Sequence, residues 1–403
     1  MRVLVFSHMY PSSIDPVFGI FVHKQAQELV KQGCEVRVVS PVPFTPLLLK
    51  QLKGRWQRYS QIPQEEDLEG IKVYHPRYLS LPKNILVAYS GYLYYAGAKG
   101  AIRKIYKSFP FDVIHAHVAV PDGHAAIIAG RAYGKPTVVT LHGHDVYNIP
   151  ELNHACRRVV KSVVRGASRV VVVSTALGNA LREYVSDREL LVVSNGYSPA
   201  DVSPGSSELA NRYRGKRVIL SVGHLIPQKA HKYVIMAVAK LLKAHPNIVY
   251  VIIGKGDEER ALQGLVKEMG LQDTVEFVGQ VPHRDVMAYL ATCDIFALPS
   301  WNESFGVVYV EAMAHGRPVV ACRGEGIQDV IADGKTGALV EPKDVDSLTN
   351  ALGKLLEDQA YARRLGEAGK ALVARSFTWK QSAEKLCQLY EELTDGGANG
   401  PRR

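Results

Sequence analysis

The stretch Arg2-Val-Leu-Val-Phe-Ser7, followed by Gly19-Ile-Phe-Val-His-Lys-Gln-Ala-Gln-Glu-Leu-Val-Lys-Gln-Gly33-Cys-Glu-Val-Arg-Val-Val-Ser40, decides the fold. Val3–Phe6 is a short apolar run of the kind that is buried on both faces of a sheet. Gly19–Gln32 carries helical periodicity closed by Gly33, and Glu35–Ser40 is a second β-branched run. Strand, helix, strand is the unit of a parallel sheet.

The unit recurs along the chain. Asp112–His115, Thr137–Leu141, Arg169–Val173 and Leu190–Val193 continue the first series, with helical stretches such as Asp122–Tyr133 between them. A second series starts at Arg217–Val222 and runs through Ile248–Ile253, Val275–Val278, Ile295–Leu298 and Val319–Ala321. The expected architecture is α/β: two doubly wound, Rossmann-like domains whose strand C-terminal ends face an inter-domain cleft. The 403-residue length fits two domains of roughly 200 residues. The boundaries expected are 1–205, 206–378 and 379–403, with Ser203–Ser207 as linker. The last segment is a helix packing back on the first domain, followed by a disordered Gly-rich basic tail at Gly396–Arg403.

Composition narrows the class. The hydrophobic fraction of 47% and charged fraction of 22% describe a globular chain with room for sizeable cores. No apolar run reaches the ~18–20 residues that span a bilayer, and the apolar start is too short for a secretory leader. The five cysteines are scattered without metal-ligand spacing, which suits reduced thiols in the cytoplasm. The net charge of +10 is uneven: residues 1–205 hold 24 Lys+Arg against 15 Asp+Glu, the remainder 25 against 24. The front half therefore carries a positive field suited to an anionic partner. No nucleic-acid-binding motif accompanies it.

The sharpest chemical signal is Pro299-Ser-Trp-Asn-Glu303-Ser-Phe-Gly-Val-Val-Tyr-Val-Glu311-Ala-Met-Ala. A helix starting near Ser304 would set Glu303 and Glu311 about 12 Å apart on neighbouring faces. That separation matches a glycosyl group at one end of a diphosphate and a ribose at the other. The backbone N–H groups of Phe305, Gly306 and Val307 would meet the phosphates at the positive end of the helix.

These residues resemble the signature of glycosyltransferase family 4, of the GT-B fold. The resemblance spans nearly the whole chain, through Gly33-Cys-Glu-Val-Arg-Val, Asp112-Val-Ile-His-Ala-His117, Thr140-Leu-His-Gly-His-Asp145 and Ser194-Asn-Gly196. It continues through Ser221-Val-Gly-His-Leu-Ile-Pro-Gln-Lys229, Ile252-Ile-Gly-Lys-Gly256, Phe277-Val-Gly-Gln-Val281 and Asp333-Gly-Lys-Thr-Gly337. It implies that Glu303 sits beside the donor sugar, Glu311 holds the ribose hydroxyls and Lys229 neutralises the diphosphate. It also implies that His142 touches the transferred sugar, Gly19 touches donor phosphate and the Val281 backbone meets the base. Gly223, His224 and Gly254 fall among its donor-binding positions. Three departures stand out: His224 where arginine is usual, Ala230 in place of a glycine, and Ser198 in place of an acid.

The implied reaction is metal-independent and cofactor-free transfer, with retention, from a nucleotide-sugar donor to a glycan or lipid-linked acceptor. UDP-sugars come first and GDP-mannose next. No carboxylate pair is recognisable as the acid and nucleophile of a double displacement. A same-face dissociative substitution is therefore expected, in which the leaving phosphate takes the acceptor proton. The lone Asp344-x-Asp346 reads as a helix cap rather than a metal motif. Leu47–Tyr59 and Tyr89–Phe109 mix aromatic, apolar and basic residues and suggest a cytoplasmic protein resting on an anionic membrane face. Two other classes compete: a non-catalytic nucleotide-sugar binder, and a metal-dependent hydrolase built on His115-x-His117 and His142-x-His144. A nucleotide-sugar epimerase would leave the Glu303–Glu311 arrangement unexplained.

Overall fold

The computed structural model describes residues 1–46, 54–80, 86–187 and 189–395. The chain divides into two compact units, one of Met1–Ser194 with Trp379–Arg403, the other of Asn195–Thr378.

Among the described residues of the first unit, one sheet has eight strands. They are β1 (Arg2–Phe6), β2 (Glu35–Val39), β4 (Glu65–Leu68), β5 (Ile71–Tyr74), β7 (Val113–His117), β8 (Thr137–Leu141), β9 (Arg169–Val172) and β10 (Leu190–Val192). Their order is β10-β9-β8-β7-β1-β2-β5-β4. All pairings are parallel except the edge pair of β4 with β5. The small strands β3 (Val42–Pro43) and β6 (Arg77–Tyr78) pair beside it. Val3, Leu4, Val5 and Phe6 are all buried, as the absence of alternation in their sequence requires. The helix Ile20–Lys31 and the C-terminal helix Trp379–Asp395 pack together over one face. Ala383, Leu386, Leu389 and Tyr390 enter the same core as Val22, Ala26, Leu29, Val36 and Val38. There Cys34 Sγ comes within 3.7 Å of Cys387 Sγ, a proximity that the scatter of cysteines along the chain does not reveal.

The second unit carries β11 (Arg217–Val222), β12 (Ile248–Ile253), β13 (Val275–Gly279), β14 (Ile295–Ala297), β15 (Val319–Cys322) and β16 (Ala338–Val340). Its order is β13-β12-β11-β14-β15-β16, parallel throughout. Strand order reverses between β1 and β7 in the first sheet and between β11 and β14 in the second. Loops leaving neighbouring strands at such a reversal diverge and open a crevice at the strand C-terminal ends.

The unit boundary falls at Ser194/Asn195, earlier than the Pro/Gly/Ser composition of Ser203–Ser207 suggests. That stretch is tied into the second unit. Ser203 N–H donates to His315 Nε2 at 3.0 Å, and Ser206 Oγ caps the helix Ser207–Arg212 by accepting from Leu209 N–H. Upstream, Tyr197 bridges to Thr378 and donates its N–H to Phe377 O. Residues 195–205 thus belong with the second unit, not the first. Asp344 Oδ1 accepts from Asp346 N–H (2.9 Å) and Ser347 N–H (3.0 Å), capping the helix Val345–Glu357.

Candidate active site

In the second unit the residues singled out by sequence gather at the switch point. β11 ends at Val222, and the chain passes through Gly223 and exposed His224 into a short turn, Pro227–Lys229. Ala230 follows in the left-handed region (φ 62), where a side chain is strained, and starts the helix His231–Leu241. The glycine usual at this place would adopt that conformation without cost; here the buried alanine is held in it by its surroundings. Gly223 N–H donates to Ile253 O and Leu225 N–H to Lys255 O, so the loops after β11 and β12 run zipped together. A Cβ on Gly254 would lie 1.9 Å from the Gly223 carbonyl oxygen. Only glycine lets these two loops approach so closely.

From the far side of the switch point, β14 leads through Pro299 and Ser300 to Glu303. Glu303 Oε2 forms an ion pair with Lys229 Nζ, and the Ser300 hydroxyl donates to the same oxygen at 3.3 Å. Both members are mostly shielded, with side-chain exposures of 22% for Lys229 and 14% for Glu303. The Glu303 peptide is held on both sides by the turn after β15. Its N–H donates to Glu325 Oε2 (2.8 Å), and its carbonyl accepts from Gly326 N–H (2.9 Å). Glu325 was not singled out from sequence, because a lone acid in Arg323-Gly-Glu-Gly326 has no periodicity or spacing to mark it. Burial, reinforced by the neighbouring Glu303 charge, pushes its carboxyl above the usual range.

The helix beyond begins at Val307, not near Ser304, and runs to Ala314. Glu303 therefore lies in the loop, and the 12 Å helical separation from Glu311 does not apply. Gly306 takes φ 75, ψ 82 at the N-cap, with no side chain accepting from the first turn. Phe305 turns its ring inward, 1% exposed and 6.3 Å from Phe377, leaving only its backbone for a ligand. Glu311 sits in the second turn, where Oε1 meets His283 Nε2 at 2.8 Å. Val281 lies in the loop between β13 and the helix His283–Thr292, at the same C-terminal end of the sheet.

In the first unit, Gly19 caps the helix Ile20–Lys31 with φ 71, its α-carbon against the Met9 carbonyl. His142 follows β8, and its Nε2 lies 3.0 Å from His117 Nδ1. His117 stacks on both His142 and His115 at centroid distances of 5.3 and 4.6 Å. His115 spends both nitrogens, on the Tyr390 hydroxyl (2.5 Å) and the Thr140 hydroxyl (2.7 Å). Asp145 accepts three backbone N–H groups, from Ala119, His142 and Gly143. Three of the four imidazoles proposed for a hydrolase are thus engaged, His115 with two hydroxyls and His117 with His142. His144 is exposed, and among the described residues no cluster of three or more potential ligands forms.

Burial drives His115 and His142 down to about 3 and His117 well below its ordinary value. Folding keeps these rings neutral, so below 6.5 the unfolded chain binds more protons than the folded one. Their stabilising contribution is complete above about 6.5 and is lost as pH falls from there toward about 3. The melting temperature is expected to drop steeply over that window, and His115→Gln is expected to flatten the drop. An equally steep acid limb in that variant would remove His115 from the account.

Comparison with known proteins follows this geometry. The profile for Glycosyltransferase Family 4 matches residues 19–201, and that for Glycosyl transferases group 1 matches 206–372. A D-inositol 3-phosphate glycosyltransferase of Corynebacterium jeikeium is 31% identical over 316 residues, covering 73% of this chain and 75% of the relative. The chain belongs to glycosyltransferase family 4. A second relative, named as a teichuronic acid biosynthesis glycosyltransferase (TuaC) of Bacillus subtilis, is 27% identical over 402 residues, with 98% of this chain and 99% of the relative covered. The structure of sucrose-phosphate synthase from Thermosynechococcus elongatus superposes with a TM-score of 0.80 at 22% identity, covering 98% of this chain and 100% of that one. The family 4 chain thus has the GT-B fold of two Rossmann-like domains.

Proposed function

We propose that this family 4 transferase takes a sugar from a nucleoside diphosphate donor held by its second unit and passes it, with retention of configuration, to a hydroxyl of a glycan or lipid-linked acceptor. One observation carries the reading: the shielded Lys229–Glu303 pair stands at the β11/β14 switch point beside a helix start that no side chain caps. A pyrophosphate there meets one lysine and the backbone N–H groups of the first helical turn, without a metal ion. Glu311 in the next turn accepts from the ribose hydroxyls, with His283 orienting it. As the bond from the anomeric carbon to phosphate oxygen breaks, Lys229 meets the developing charge. The acceptor oxygen bonds to the same face, and its proton passes to the departing phosphate. At Val281 the peptide C=O and N–H match the imide edge of uracil. Guanine presents that edge with an extra amino group needing another acceptor, and this chemistry supports UDP-sugars over GDP-sugars.

Peripheral membrane docking rests on a narrower base than the sequence implied. Tyr89 and Tyr92 are exposed, 55% and 56%, at the start of the helix Ser90–Ser108, which also carries Lys99, Arg103, Lys104 and Lys107. Tyr94 instead fills the core, stacked 5.3 Å from Phe6. Residues 47–53 of the other stretch lie outside the described residues. No helix among the described residues is long and apolar enough to cross a membrane.

Thermal unfolding with UDP, GDP and ADP tests the donor. UDP is expected to raise the melting temperature most, since a ligand bound only by the folded chain stabilises it. Sugar release or transfer from the matching donor in the presence of chelator then separates an enzyme from a mere binder. Absence of any nucleotide effect would refute the assignment.

A further inference from the structure

Two of the five cysteines meet where the last helix covers the first unit's sheet, and the chemistry above uses neither. Cys34 stands between the helix Ile20–Lys31 and β2, held by its N–H, which donates to Leu29 O at 3.0 Å. Cys387 lies on the C-terminal helix Trp379–Asp395. Their sulfurs are 3.7 Å apart, although 353 positions separate them along the chain, and both are free thiols. About 1.7 Å of further approach brings sulfurs in such contact to the ~2.05 Å of a disulfide. Because Cys34 precedes β2, the pair lies at the N-terminal ends of the parallel strands, opposite the end at which His142 leaves β8.

The surroundings set these two thiols apart from the other three. The hydrogen bond from Cys387 draws the Cys34 thiol down to about 7, with the α-amino group of Met1 adding to it against partial burial and the Glu391 charge. Met1 is held close by its carbonyl, which accepts the Glu35 N–H at 2.9 Å. Cys387 is only half-buried, which leaves the pair open to a small oxidant. Cys156, Cys293 and Cys322 are 1% exposed or less, and burial pushes the last two up to about 12. Oxidation follows thiolate character and access, so it should fall on the pair and spare the rest.

We propose that Cys34 and Cys387 form a site of reversible oxidation, which a hydroperoxide closes to a disulfide and a dithiol reopens. The Cys34 thiolate attacks a peroxide oxygen and the O–O bond breaks. The leaving hydroxide takes up the proton that Cys34 gave to solvent and departs as water, and Cys34 is left as a sulfenic acid. The Cys387 sulfur then attacks the Cys34 sulfur, and its proton leaves with the displaced hydroxyl as a second water. Two thiols and one hydrogen peroxide thus give one disulfide and two waters, the sulfurs losing two electrons. The bond pins the last helix to the start of β2 and closes a loop that contains the entire second unit. This inference is independent of the glycosyl-transfer reading.

The test uses the reduced full chain, freed of reductant and treated with a small excess of hydrogen peroxide. Thiol titration in denaturant is expected to show two of the five thiols lost, at least tenfold faster than any of the others. Peptide mapping should find Cys34 joined to Cys387 within one chain. The melting temperature should rise by at least about 4 °C, since a cross-link over so long a loop restricts the unfolded chain, and dithiothreitol should reverse both changes. Cys34→Ser and Cys387→Ser should each abolish the cross-link and the rise, and Cys387→Ala serves where the serine lowers the melting temperature of the reduced protein. Loss of Cys156, Cys293 or Cys322 at the same rate as the pair, or bonds formed between chains in place of the internal one, would overturn the proposal. A Cys34–Cys387 bond that leaves the melting temperature unchanged would overturn the pinning of the helix.

Discussion

Lys229→Ala is expected to lower kcat/KM for transfer by at least about tenfold, about 1.4 kcal/mol of barrier, and by as much as ~10²–10³-fold if this lysine is the main fixed charge on the leaving group. The variant loses the cation facing the departing diphosphate. It also strands Glu303, only 14% exposed, with Ser300 as its remaining side-chain partner. Glu303→Gln should lose a comparable factor, because the amide neither pairs with Lys229 nor carries charge beside the sugar. Since the two residues touch, their effects should not add, and the double variant should be scarcely worse than the poorer single one. Circular dichroism should show the fold intact in each. Wild-type turnover in both single variants would sink the site assignment, whatever the family.

Gly306→Ala should be nearly as damaging, by a different route. Gly306 has φ 75, and a Cβ there would lie 2.4 Å from the Tyr309 ring and 3.4 Å from the Glu303 carboxyl carbon. The ring cannot retreat: Tyr309 is fully buried, and its hydroxyl bonds to the Leu298 carbonyl and the Ser300 hydroxyl. The backbone strain costs about 1–3 kcal/mol, and its relief must shift the start of the helix Val307–Ala314, which carries the N–H groups meant for phosphate. Calorimetry with UDP should show affinity weakened at least tenfold, against a melting temperature lowered by only a few degrees. Unchanged nucleotide affinity would mean that the helix start takes no part in binding.

Much of this was legible in the residues alone, for a physical reason. Parallel strands covered on both faces are apolar without alternation, so β1, β8, β11 and β12 announce themselves as Val/Ile-rich runs. The edge strand β4 does not, because Glu65-Glu66-Asp67-Leu68 is half solvated and acidic, and β5 was missed with it. The helix after Glu303 was expected near Ser304 but begins three residues later, at Val307. The structure instead caps it with Gly306, at φ 75 and with no capping side chain, where a Cβ would strike the Tyr309 ring. Glu325 and the approach of Cys34 to Cys387 were invisible, since each depends on elements distant in sequence that share no pattern. Lys229 and Glu303 could be named from motif order, but their direct pairing could not.

The placement of the last helix has a consequence for the order in which the molecule is made. Trp379–Asp395 completes the first unit's core, with Leu386 and Tyr390 fully buried there, yet it emerges from the ribosome only after the whole second unit. Until then the apolar flank around Val22, Leu29 and Val36 has no cover, while the entire second unit is synthesised and free to fold. A chain halted before Trp379 should therefore present a folded rear half tethered to an adhesive front half. Chaperone binding to stalled nascent chains should persist to that point and cease once the helix clears the exit tunnel.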